Sequence, residues 1–334
     1  MEKISDLFLE REKQTLSQYA FLTCNTRGRD YPCEPTDMRT EFQRDRDRII
    51  HCQSFRRLMN KTQVFLAPEG DHYRTRLTHT LEVTQIARIM ARALCLNEDL
   101  TEAAALGHDL GHTPFGHSGE AVMRELFSPD FAHYKQSLRV VEVLENDGAG
   151  LNLTWEVRDG IVNHTGSSIA STLEGVLVKF ADRIAYINHD IDDACRAGIL
   201  KPEDIPKELR EVLGETHSKR INTMVTSVVL ASRDKPVISM EPHIQDATDL
   251  LRKFLFETVY TSPVAKGEEG KAKEMLAHLF QYFEAHPEQL PGVYGRNLER
   301  DGVKRCVCDY ISGMTDRYAI EKYRELFIPR GWSL

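Results

Sequence analysis

LTHTLEVTQIARIMARALCL, residues 77–96, decides the fold class. Apolar side chains fall at Leu77, Leu81, Ile86, Ile89, Met90, Ala93 and Leu94, close to a 3.6-residue period, which predicts an amphipathic helix. Residues 100–108, LTEAAALGH, are alanine-rich and helix-favouring until Gly111 and Pro114 interrupt them. Further helices are expected over residues 115–127 (starting late), 137–145, 173–196, 221–231, 246–260, 271–285 and 303–326. Strand-like alternation is confined to residues 235–240, where one short strand is expected. Breaks fall at 24–35, 232–242, 262–270 and 287–295; none is of low complexity, and no fixed repeat appears. The reading is an all-α protein with an N-terminal segment (1–40) packed on a main core (41–240) and a C-terminal helical appendage (241–334) that is not independent.

The chain has 334 residues, 41% hydrophobic and 28% charged, an ordinary globular balance able to bury a large core. No apolar run approaches the roughly 18 residues of a membrane helix, so no membrane span is expected. Residues 1–14 are charged and lack the apolar region of a secretory signal. The seven cysteines include no CxxC pair, and Cys306 and Cys308 are badly spaced for zinc, so reduced thiols in the cytoplasm are expected. The net charge of −8 argues against a general nucleic-acid coat. Residues 27–76 nevertheless carry +3, leaving −11 elsewhere, and ten of their eleven cations are arginine. Arginine suits phosphate contacts, but the RDRDR run at 44–48 reads first as a solvated surface with intrahelical ion pairs.

Histidine carries the chemistry. Six of the 13 lie between residues 72 and 133: His72, His79, His108, His112, His117 and His133. A divalent ion needs several imidazoles or carboxylates converging on one point. His108 and Asp109 stand where the alanine-rich helix runs into its turn, and both reach one ion most easily at the helix end. His79 lies amid core-like neighbours, and Asp182 sits inside VKFAD (178–182), where a lone buried acid is costly unless paired or metal-bound. Two imidazoles and two carboxylates suit Mn²⁺, Fe²⁺, Mg²⁺ or a similar ion with positions open to water and substrate.

The order His79 … His108-Asp109 … Asp182 resembles the HD-domain superfamily of metal-dependent phosphohydrolases, and its deoxyguanosinetriphosphate triphosphohydrolase-like branch in particular. The resemblance rests on FQRDRDRIIHCQSFRRLMNKTQVF (42–65), RTRLTHTLEV (74–83), GHDLGHTPFGHSGE (107–120), HYKQSLRV (133–140) and ADRIAYINHDIDDA (181–194), and spans roughly residues 10–330. It implies a helical HD fold, one divalent metal ion, and hydrolysis of a dNTP to deoxynucleoside and tripolyphosphate. It makes His79, His108, Asp109 and Asp182 the metal ligands, His117 and Glu120 a catalytic pair, and His133 a further active-site histidine. Arg76 becomes a phosphate contact, and Tyr186 and Asp190 substrate contacts. His112 joins them, although some relatives carry Asn there. A homo-oligomer and a nucleotide or single-stranded DNA effector are implied too.

The spacings suit that chemistry. Arg76 and His79 are three apart and share a helix face; so do His117 and Glu120, whose carboxylate is expected to hold the imidazole for proton transfer near pH 7. Asp182, Tyr186 and Asp190 fall at i, i+4 and i+8, so they are expected to line one wall of the pocket, with Tyr186 against the deoxyribose. His164 is read as favouring the dipole at a helix C-terminus, and both it and His189 stay outside the site. His51, His72, His217, His243, His278 and His286 read as structural or surface residues.

Three rivals stand beside this reading. One is another HD-type phosphohydrolase, a nucleotide monophosphatase or a phosphodiesterase of cyclic nucleotides or (p)ppGpp. A second is a non-catalytic nucleotide or single-stranded nucleic-acid binder using the arginine-rich segment. The third, a zinc peptidase, fails: His108-Asp-Leu-Gly-His112 lacks the glutamate and the unbroken helix that HExxH needs.

Overall fold

The computed structural model describes residues 3–34, 38–63, 74–259 and 263–329. His72 and the last two residues of TQVF lie outside them. Among the described residues the regular structure is helical, and the one β-bridge, Thr62 to Thr75, is isolated. No described helix is long and apolar enough to cross a membrane.

Three helices form the frame. Arg76–Ala93 is capped by Thr75, whose hydroxyl accepts from the Thr78 amide at 3.4 Å. Glu98–Gly107 begins at Asn97, whose side chain accepts from the Leu100 amide at 3.2 Å. Leu173–Arg196 begins at Thr172, which accepts from the Gly175 amide at 3.1 Å. A fourth helix, Trp155–Val162, packs closely on this frame because Gly160 meets Gly175; a Cβ on Gly160 would lie 2.8 Å from that of Ala104.

The apolar residues gather in three clusters. The first joins Val83, Ala87 and Met90 to Leu177, Ile184 and Ile191, and continues to Leu251, Leu255 and Val259. The second packs Met123 and Phe131 on Leu276, Phe280, Val307 and Ile311. The third surrounds Phe42, Ile49, Leu100, Leu106 and Ile161. The helix Glu98–Gly107 gives Ala104 and Ala105 to the first cluster and Leu100 and Leu106 to the third. Its end, His108, is thereby held between two packed cores.

Several expectations need correction. Residues 235–240 form no strand: Ile238 and Met240 are buried alternately, which created the signal, but the backbone turns at Ser232–Lys235 and finds no partner strand. The expected helix over 303–326 is two, Val303–Ser312 and Asp316–Phe327, because Thr315 caps the second by accepting from the Tyr318 amide at 3.1 Å. The expected break at 262–270 is helical from Pro263, the start of Pro263–Ala285, consistent with proline's fitness for a first helical turn. The helix expected over 137–145 starts earlier, as His133–Arg139, and loosens into a π-turn at Val140–Leu144.

The arginine-rich segment is largely occupied by the protein itself. Arg29 is buried against Asp45 and pairs with Glu41 at 2.7 Å; Arg46 reaches Glu102 at 3.4 Å; Arg48 donates to the Leu151 carbonyl at 2.6 Å. These bonds clamp the helix Glu41–His51 onto its neighbours.

Candidate metal centre

Four expected ligands converge. His79 Nε2 lies 3.2 Å from Asp182 Oδ1, and His108 Nε2 lies 3.6 Å from Asp109 Oδ2 and 3.9 Å from Asp182 Oδ1. Ligands at about 2.0–2.2 Å from a common ion stand roughly 3–4 Å apart, so these separations fit a shared divalent cation. His79, His108 and Asp109 also qualify together as a metal-holding group.

His108 supplies the sharpest test. Its Nδ1 donates to the Ala105 carbonyl at 2.7 Å, which leaves the Nε2 lone pair facing the two carboxylates. That Nε2 is buried and has no hydrogen-bond partner. A buried polar atom without a partner costs about 1–3 kcal/mol, and a bound cation would remove the penalty. Asp109 is held well below the usual carboxylate range: burial alone would raise it, but His108 and Arg76 outweigh burial. Asp182 is likewise lowered against its burial when His79, then His108, carry protons toward it; a bound cation would stand in the place of those protons. Two anionic carboxylates and two imidazoles form a suitable mixed donor set for a divalent ion.

Arg76 also bonds within the protein. Its Nη1 donates to Asp109 Oδ2 at 2.6 Å and its Nη2 to the Gln63 carbonyl at 3.3 Å. The guanidinium therefore orients an expected ligand as well as placing positive charge at the site.

A second group of side chains adjoins the first. The His112 ring stacks on His133, with centroids 4.7 Å apart and planes at 21°, and His117 stands edge-on to His112 at 6.4 Å. The expected His117–Glu120 pair takes another form. Glu120 Oε2 faces His133 Nδ1 at 3.4 Å, and its Oε1 accepts from Arg124 at 2.7 Å. His117 is crowded by protein yet keeps solvent exposure; burial first, then Arg76, pull its pKa down. Burial and Arg76 also hold His112 well below the usual imidazole range. Asp109, His112 and His133 form a second group with donor atoms close enough to share an ion.

Tyr186 is half-buried against the first apolar cluster, and burial pushes its hydroxyl up to about 12. Asp190 is buried rather than a surface acid; burial, then Asp193 and Asp182, raise its carboxyl well above the usual range.

Two residues left outside the site belong to its surroundings. His189 Nδ1 faces His79 Nδ1 at 3.4 Å, and His189 Nε2 meets Glu82 Oε2 at 3.0 Å. His164 donates from Nδ1 to the Ile161 carbonyl at 2.7 Å, and its ring stands 4.9 Å from His108 and 5.4 Å from His133. For His189 a signal existed: it lies seven residues after Asp182, about 20° away around the same helix. No comparable spacing flags His164.

A helical frame that presents two histidines and two aspartates to one point, beside a further cluster of histidines, is the arrangement of the HD class of domains. The chain matches the HD domain family over residues 76–187 and the phosphohydrolase-associated domain over residues 238–325. It is 59% identical to a deoxyguanosinetriphosphate triphosphohydrolase-like protein of Caldanaerobacter subterraneus subsp. tengcongensis, covering 99% of this chain and 97% of that one. Proteins of the same description from Desulfatibacillum aliphaticivorans and Clostridium perfringens are 48% and 47% identical, each alignment covering 98% of both chains. Among solved structures, a hypothetical protein from Aquifex aeolicus aligns with a TM-score of 0.49 and 20% identity, over 86% of this chain and 68% of that one. The chain belongs to the deoxyguanosinetriphosphate triphosphohydrolase-like family of HD-domain proteins. Membership makes it a metal-dependent nucleotide phosphohydrolase of the HD type.

Proposed function

We propose that the chain hydrolyses deoxynucleoside triphosphates to deoxynucleoside and intact tripolyphosphate, with His79, His108, Asp109 and Asp182 holding one divalent ion. The observation that carries this reading is the partnerless Nε2 of His108, buried and turned toward two anionic carboxylates. When bound, Mn²⁺, Mg²⁺ or Fe²⁺ would polarise the phosphoryl group and lower the pKa of water beside it.

In this reading the oxygen of water bonds to the α-phosphorus and the bond to the 5′-oxygen breaks. Arg76 keeps Asp109 oriented at 2.6 Å and adds positive charge beside the phosphate. His133, steadied by Glu120 and stacked on His112, stands at the same site. His117, its pKa drawn down by burial and then by Arg76, takes the proton that the attacking water gives up and returns one to the departing 5′-oxygen. Tyr186 and Asp190 lie one and two turns beyond Asp182 on the same helix, where the reading places the deoxyribose.

The test incubates the purified protein with Mn²⁺ and each of the four dNTPs, singly and mixed, with mass spectrometry of the products. The mixture covers an effector nucleotide. Deoxynucleoside with tripolyphosphate supports the reading; a monophosphate or free phosphate assigns the chain to another HD-type reaction, and salt-sensitive DNA binding without turnover favours a binding module.

A further inference from the structure

The C-terminal helices reach the site from behind through a few polar bonds. Asp316, the first residue of the helix Asp316–Phe327, is buried. Its Oδ1 accepts from the Phe115 amide at 2.9 Å; its Oδ2 accepts from the Thr62 amide at 2.9 Å and from the Thr62 hydroxyl. Nearby, the buried Lys61 ammonium donates to the Ser312 carbonyl at 2.7 Å and to the His112 carbonyl. The C-terminal stretch therefore bonds directly to the turn between His112 and His117 at Phe115, and through Lys61 to its start at His112.

That turn needs holding. Phe115 has φ 59° and Gly116 φ 56°, both left-handed, and the helix His117–Leu126 starts directly after them. Left-handed backbone at a bulky residue costs on the order of 1–2 kcal/mol and persists only where its surroundings impose it. The Asp316 carboxylate supplies such a constraint at the Phe115 amide. Its other oxygen grips Thr62, in the stretch whose Lys61 carbonyl accepts from the Arg76 amide at 3.1 Å and whose Gln63 carbonyl accepts from the Arg76 side chain. Arg76 in turn holds Asp109. Asp316 thus links the turn that aims His117 to the stretch that anchors the Asp109 side.

We propose that Asp316 is a positioning residue for His117, and that the phosphohydrolase-associated region completes the active site by fixing this turn. The inference rests on the tripolyphosphate-releasing reaction above for its kinetic consequence, but its structural consequence is independent of that reaction.

Asp316→Asn preserves size but sets an NH₂ group against one of the N–H donors. In the metal-loaded enzyme we expect kcat to fall by about 10- to 100-fold, the effect of a small misplacement, with KM within about 3-fold and metal content unchanged. Amide exchange should quicken locally over residues 113–118. Thr62→Val, which removes only the hydroxyl bond, should have a smaller effect of the same kind and guards against an Asp316 variant that folds poorly. Wild-type kcat and wild-type exchange in Asp316→Asn would overturn the proposal. So would a uniform rise in exchange along the chain with loss of metal, which marks a merely structural residue. If the wild-type protein releases no tripolyphosphate, the functional reading fails, and the local exchange of residues 113–118 still decides the positioning role.

Discussion

His79 and His189 meet through their Nδ1 atoms at 3.4 Å, and Glu82 closes the far side of His189 at 3.0 Å. One proton order satisfies all three groups with the His79 Nε2 lone pair free for a cation. Glu82 accepts from His189 Nε2–H, and His189 Nδ1 accepts from His79 Nδ1–H. Groups behind a metal ligand commonly govern affinity by 10- to 100-fold. His189→Ala should therefore weaken Mn²⁺ binding by about that factor, as read by calorimetric titration of the metal-free protein; wild-type affinity would show that His79 orients itself.

His108→Ala and Asp109→Ala should each abolish metal retention and turnover together, with elemental analysis and product release read on one sample. Turnover surviving the loss of metal would separate the donor set from the chemistry.

His117→Ala should keep its metal yet lose on the order of 10²–10⁴ in rate, the usual scale of an acid–base group. Near-normal turnover would remove His117 from proton transfer.

Glu120 yields a pH signature. Burial would raise its carboxyl, but the His133 bond and charge and Arg124 bring it from 4.5 down to about 2. The stabilisation is therefore fully present above about pH 4.5 and fades as pH falls toward 2, with an upper bound of about 3 kcal/mol. Glu120→Gln should lower the unfolding temperature at pH 7, and the gap should narrow toward pH 3. A gap independent of pH would mean that the carboxylate charge contributes nothing.

Glu174 behaves in the opposite sense. It is fully buried, and burial lifts its carboxyl to about 7 even though the Asn97 and Phe21 amides bond to it. The folded state keeps a proton that the unfolded chain gives up near pH 4.5, so stability declines as pH rises from about 4.5 through 7. Glu174→Gln should raise the unfolding temperature at pH 8 and leave it nearly unchanged at pH 4. Equal shifts at both would contradict the titration.

The sequence disclosed what depends on local periodicity and motif. Residues 173–196 read as one helix and form one, because Thr172 caps a strongly apolar stripe. The proposed ligands stood out because acids and imidazoles interrupt apolar runs. The helix Glu41–His51 was not visible: apart from Phe42 and Ile49 its buried face includes Arg44 and Asp45, which hide the period. The Glu120–His133 contact was equally hidden, since it pairs residues thirteen apart across a turn. Asp316 lay further out still, 201 residues from the amide it holds. Spacing reports neighbours on one helix; packing between helices decides which of them share a site.

The most direct measurement follows oxygen. Hydrolysis of a dNTP in H₂¹⁸O with Mn²⁺, analysed by mass spectrometry, should place one ¹⁸O in the tripolyphosphate and none in the deoxynucleoside, with no turnover once the metal is chelated. Label in the deoxynucleoside, a monophosphate product, or undiminished turnover without metal would contradict water attack at the α-phosphorus beside a metal held by His79, His108, Asp109 and Asp182.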